Sequence, residues 1–93
     1  MALLFEWNVE KAQTNLQKHG CSFEEAAEVF SDPFMKLIHD PHHSALEDRF
    51  IAVGMSMNRR IVVTVHTDRG DRIRIVSARL ATRSERKQYE TDK

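Results

Sequence analysis

The stretch RFIAVGMSMNRRIVVTVHTDRGDRIRIVSAR, residues 49–79, decides the fold. It divides into three runs, RFIAVGMSM, RIVVTVHT and DRIRIVSAR, separated only by NR and DRG. The runs are rich in β-branched residues, and connections this short join strands as antiparallel neighbours. A three-stranded meander is therefore expected in the C-terminal half. Strict alternation along the last run places Arg72 and Arg74 on one face with Val76 and Ala78, and Ile73, Ile75 and Ser77 on the other. The two arginines then point away from whatever core the sheet forms.

Upstream of the meander the period changes. LLFEW reads as a short first strand, and Asn8 suits the N-cap of a helix that begins at Val9 and stops at Gly20. Val9, Ala12, Leu16 and His19 fall on one face of that helix, with Lys11, Asn15 and Lys18 as a polar stripe beside them. In CSFEEAAEVFSD, Ser22 and Glu25 have capping-box spacing, Phe23, Ala26, Ala27 and Phe30 form the apolar stripe, and Pro33 forbids continuation. FMKLIH reads as another strand and DPHHSALED as a polar loop. Beyond the meander, Thr82 and Glu85 repeat the capping-box spacing and open a helix through about Tyr89. The predicted order is β-α-α-β-β-β-β-α. This is an α+β fold of one domain, residues 1–93, with two N-terminal helices packed on one face of a mainly antiparallel twisted sheet and the other face partly open.

Composition narrows the function. The chain has 93 residues, 41% of them hydrophobic, enough for one small core. Neither a membrane span nor a signal-peptide pattern is visible, so a soluble cytoplasmic protein is expected. Lone Cys21 is expected to be a packing residue. The net charge is zero, but residues 1–48 carry three Lys against nine carboxylates, and residues 49–93 carry eleven Lys and Arg against five. Nine of those eleven are arginine, whose guanidinium fork matches two phosphate oxygens and stays charged at any cellular pH. Simple attraction between the two halves is the competing explanation.

Several groups could carry chemistry. His19 stands at a helix C-terminus, which favours its charged form and suits it to proton transfer or to capping. Lys11 and Lys18 could track phosphates, or form a solvated face. His39, Asp40, His42, His43, Glu47 and Asp48 are all ligand types, but their spacing matches no zinc pattern and no metal or other cofactor is expected. Arg49 and Arg60 begin meander strands and Arg79 ends one; Arg83 and Arg86 follow in the helix. No P-loop, GxGxxG or HExxH is present.

The pattern FEWN..KA..N..KHGCSFEEAAEVFSDP, followed by E.R....G, R.IVV and IRIVSAR.A...ER..YE, resembles the BrnT family of type II toxins from Phe5 to about Glu90. Asn8 stands where the family usually has an acidic residue. The resemblance implies a RelE-like fold and a metal-independent ribonuclease that inhibits translation. It also implies a BrnA-like ribbon-helix-helix antitoxin, in a 2:2 complex that binds promoter DNA through the antitoxin, and no membrane partner. Arg49, Arg60, Arg74 and Arg79 match the family pattern. For that reaction the candidate catalytic residues are His19, Arg49, Arg79 and Glu24, with Glu24 or Lys18 as substitutes for His19 in proton transfer. The candidates for RNA or phosphate binding are Lys11, Lys18, Arg60, Arg74 and Trp7, the last either stacking on a base or belonging to the core. The expectation is that the guanidiniums converge on the bare side of the sheet. A non-catalytic nucleic-acid-binding domain using the same arginines is the alternative, and a basic receptor for an acidic antitoxin is a third.

Overall fold

The computed structural model describes residues 3–40 and 48–91. Strand β1 (Leu4–Glu6) leads into helices α1 (Val9–His19) and α2 (Phe23–Glu28), and a 3-10 turn (Val29–Ser31) ends the helical part. Strands β2 (Lys36–His39), β3 (Phe50–Met55), β4 (Ile61–Arg69) and β5 (Arg72–Leu80) follow, and α3 (Arg83–Thr91) closes the order. The sheet runs β1-β5-β4-β3-β2; β2 to β5 are antiparallel neighbours, and β1 lies parallel to β5 at the edge. The expected order and layers are all present.

The helix ends are made by the residues that local chemistry requires. Asn8 Oδ1 accepts from Lys11 N at 3.0 Å, and Gly20 takes the left-handed conformation (φ 66°) while its N–H bonds Leu16 O. Ser22 Oγ accepts from Glu25 N at 3.0 Å. The core lies between α1, α2 and the sheet, with Cys21, Phe23, Ala26, Val29, Ala52, Val62, Ile75 and Ala78 buried together. Burial pushes the Cys21 thiol up to about 11, which fits a packing residue.

Two expectations are corrected. Val9, Leu16 and His19 of the supposed apolar face of α1 are exposed, while Ala12 packs on the core and Asn15 is buried. Helix α1 is turned to bring an amide to β5, because β1 pairs only Arg72 to Arg74 and leaves the next stretch of that edge without a strand. Asn15 fills the gap: Nδ2 donates to Ala78 O (2.7 Å) and Cys21 O (3.0 Å), and Oδ1 accepts from Ala78 N (3.1 Å). Buried main-chain groups without a partner are costly, and one amide here satisfies three of them.

The second correction concerns β5. Val65 pairs with Ser77 but His66 pairs with Ile75, so Val76 has no partner opposite and forms a bulge. One extra residue exchanges the faces of everything beyond it. Ala78 therefore joins Ile75 in the core, whereas Ser77 and Arg79 share the far face with Arg74. That far face is partly covered by α3. Tyr89 is buried there, and its hydroxyl donates to Asp32, whose carboxylate also accepts from Met55 N (2.8 Å) and Phe34 N (2.9 Å).

Candidate nucleic-acid interface

Between α3 and the far face of the sheet lies a cleft of about 190 Å³. Ile38, Ile51, Val53 and Val63 make an apolar floor, and Lys36, Arg79, Glu85 and Gln88 make a polar rim. Arg79 is held in a fixed pose. Its Nη1 and Nη2 donate to the two carboxylate oxygens of Glu85 at 2.7 and 2.9 Å. Glu85 also completes the capping box of α3, accepting from Thr82 N at 2.8 Å while its own N–H donates to Thr82 Oγ1 at 3.2 Å. The Arg79 guanidinium and the Thr82 amide hold the Glu85 carboxyl down at about 2, and Glu85 in turn raises the Arg79 pKa. A guanidinium has two edges that can grip an oxoanion. Glu85 occupies the end-on edge. The side edge, Nε with the second hydrogen of Nη2, has no partner among the described residues.

A second, shallower cleft of about 540 Å³ runs beside α1, where Asn8, Lys11, Thr14, Asn15, Lys18, His19, Val76 and Ser77 meet. Three residues named from sequence, Lys11, Lys18 and His19, are thus brought together. Ser77 connects this cleft to the face that carries Arg79. Glu24 is exposed on α2 and lines neither cleft.

The expected convergence of four arginines is not what the chain does. Arg60 lies against α2, donating through Nε at 2.9 Å and through Nη2 to Glu25, and through Nη2 to Gly20 O at 3.1 Å. Glu25 is buried, also accepts from Ser56 Oγ at 2.7 Å, and is pulled down in pKa chiefly by the Arg60 hydrogen bonds. Arg74 donates to Glu6 at 2.8 Å across the β1–β5 pair. Arg49 sits half-buried just before β3, where its carbonyl accepts from Asp40 N at 2.8 Å. Trp7 packs edge-on against Phe23, with ring centroids 6.0 Å apart. For Arg60 and Arg74 the acidic N-terminal half is indeed the partner, as the competing explanation had it. Arg79 alone of these three is braced from within the C-terminal half.

A family model described as the ribonuclease toxin BrnT of type II toxin-antitoxin systems matches residues 7–85. The chain belongs to the BrnT family. Among solved structures, the 1.1 Å crystal structure of the Brucella abortus ribonuclease toxin BrnT is similar to it. The two are 25% identical, with a TM-score of 0.65 over 88% of this chain and 100% of that one. A search of the curated proteins finds no match. The BrnT-family chain is thus a ribonuclease toxin of a toxin-antitoxin pair, with RNA as target and an antitoxin as partner.

Sequence reasoning missed Glu85 and Glu25 as partners of arginines. Glu85 was visible only as a capping residue, since nothing local shows that its second oxygen reaches Arg79. Of the loop ligand types, His39 Nε2 stands 3.5 Å from Asp48 Oδ1. Among the described residues no group of three His, Cys, Asp or Glu could hold a metal, and His42, His43 and Glu47 lie outside those residues. No helix among the described residues is long and apolar enough to cross a membrane.

Proposed function

We propose that the chain is an endoribonuclease that cuts without a metal, by attack of a ribose 2′-hydroxyl on the adjacent phosphorus. Such a cut needs the extra negative charge held, the attacking hydroxyl deprotonated and the leaving 5′-oxygen protonated. The observation that carries the reading is the pose of Arg79: locked end-on by Glu85, with an unused fork beside an apolar cleft. A cation fixed before substrate arrives stabilises developing charge at little reorganisation cost. Lys36 on the same rim adds positive charge. Along the β5 edge, Lys11 and Lys18 receive flanking phosphates and His19 transfers a proton. Arg49 and Glu24 line neither cleft and take no step in this reading. The partner is a BrnA-like ribbon-helix-helix antitoxin, in a 2:2 complex whose antitoxin half binds promoter DNA.

A binding-only reading has one observation in its favour. Among the described residues the Arg79 cleft is lined by no histidine, and Tyr89, pushed up to about 12 by burial and by Asp32, is a poor proton donor. RNA incubated with purified protein in excess EDTA separates the two. Cleavage leaving a cyclic phosphate and a 5′-hydroxyl supports the catalytic reading; binding without cleavage supports the other, and cleavage that EDTA abolishes removes the metal-free mechanism. Arg79→Ala is expected to lower kcat by about 100- to 1,000-fold, the usual worth of one charge-stabilising donor.

A further inference from the structure

Where the β3–β4 turn meets α3, a depression of about 270 Å³ opens among Met55, Arg59, Arg60, Ile61, Leu80, Ala81, Arg86 and Glu90. Three guanidiniums surround it against one carboxylate. The side chains of Arg59 and Arg86 have no partner among the described residues. Arg60 spends its Nε and Nη2 on Glu25 and Gly20 O, and leaves Nη1 unused. The depression is therefore built on one arginine fixed from behind and two that reach in.

The turn that presents Arg59 is the second observation. Arg59 is the only non-glycine residue with positive φ (63°) among the described residues. Its N–H bonds Ser56 O at 3.0 Å, and Ser56 N bonds Arg60 O at 2.9 Å, so the conformation is imposed by the hairpin. A left-handed residue with a Cβ costs about 1–2 kcal/mol, and glycine or asparagine is the usual occupant. Arginine therefore stands here at a cost that glycine would avoid.

We propose that Arg59, Arg86 and the free end of Arg60 form a phosphate subsite that grips one nucleotide of the RNA strand at a distance from the cut. Guanidiniums suit the phosphodiester, and the floor of Ile61, Leu80 and Ala81 suits the apolar side of a nucleoside. The depression, about 270 Å³, has room for one nucleotide; an acidic segment of the antitoxin in its place is an outcome of the test. The subsite rests on the reading of the chain as an RNA-directed protein, but not on how it cuts.

The probe is a single-stranded oligonucleotide with every 2′-hydroxyl methylated, which binds without being cleaved. Its affinity is followed by fluorescence anisotropy from low to moderate salt. Arg59→Gly combined with Arg86→Ala is expected to weaken binding at least tenfold and to lower the slope of log affinity against log salt by about 1.4, the share of two single-strand phosphate contacts. Arg59→Gly alone is expected to raise the melting temperature while weakening binding, a combination that a structural role does not produce. Arg69→Ala with Arg72→Ala removes the same charge at the β4–β5 turn, at the opposite end of the sheet, and should leave the slope unchanged. A wild type that binds but never cleaves, with binding still lost in the double variant, supports the subsite while removing the catalytic reading alone. An unchanged slope in the double variant overturns the subsite, as does an equal loss in the Arg69/Arg72 control. So does normal RNA binding accompanied by loss of the antitoxin.

Discussion

Single residues carry more of this structure than their position in the pattern suggests. Asn15 looks like one member of a polar stripe, yet it is 8% exposed and takes the place of a missing strand at Ala78. Its role was illegible in the sequence because its partner lies 63 residues away and the gap exists only once β1 is known to stop at Glu6. Asn15→Ala strands a buried N–H and C=O of β5 and should cost about 2–3 kcal/mol in urea unfolding, from the penalty for unsatisfied buried groups. An unchanged midpoint would mean that water replaces the amide. Arg79 and Glu85 differ in legibility: both were marked, one for charge and one for capping, and only the fold shows that they are bonded to each other. Arg79→Lys should fail to restore cleavage, since a single ammonium cannot hold Glu85 and a phosphate on two separate edges. Single-turnover kinetics on a short RNA would show it.

At the scale of elements, caps and hairpins were legible because their signals are local. Asn8, Gly20, Ser22 and Thr82 all act where the sequence places them. The Val76 bulge was not legible, because alternation within one strand carries no information about a skipped partner in the next. Its effect is large: a regular β5 would have put Ala78 on the arginine side and Arg79 on the core side. Gly54 marks another close approach, between β3 and the 3-10 turn. A Cβ there would lie 3.0 Å from Val29 Cβ, 3.2 Å from Val29 O and 3.3 Å from Asp32 Oδ2. Two of these neighbours are buried or backbone atoms that cannot give way cheaply, so Gly54→Ala should destabilise by about 1–3 kcal/mol. Chemical denaturation of the variant against the wild type measures this directly; an increase in stability would show that the turn can move.

For the whole molecule, the opposed charges of the two halves are partly spent in holding it together, through Arg60 with Glu25 and Arg74 with Glu6. The sequence showed the imbalance but not which cations it consumes. Acid should destabilise the chain over two ranges of pH. His66 is buried between Phe30 and Phe50, its nitrogens have no hydrogen-bond partner among the described residues, and burial lowers its pKa despite the opposing pull of Asp68. The unfolded imidazole takes a proton near pH 6.5 while the buried one resists, so stability falls as pH drops through about 6.5. Glu85, held at about 2 against an ordinary 4.5, adds a second loss between those values, softened by its partial exposure. Melting temperatures from pH 8 to pH 3 should show both limbs. In His66→Phe the upper limb should vanish; if it persists, another group titrates there.

One carboxylate joins the first turn of α3 to the aim of the candidate catalytic arginine, and Tyr89 pins the far end of the same helix to Asp32. The C-terminal helix is thus the brace that sets the direction of that guanidinium. An inhibitor that prised it loose would let Arg79 swing, disarming the proposed site without ever entering the cleft.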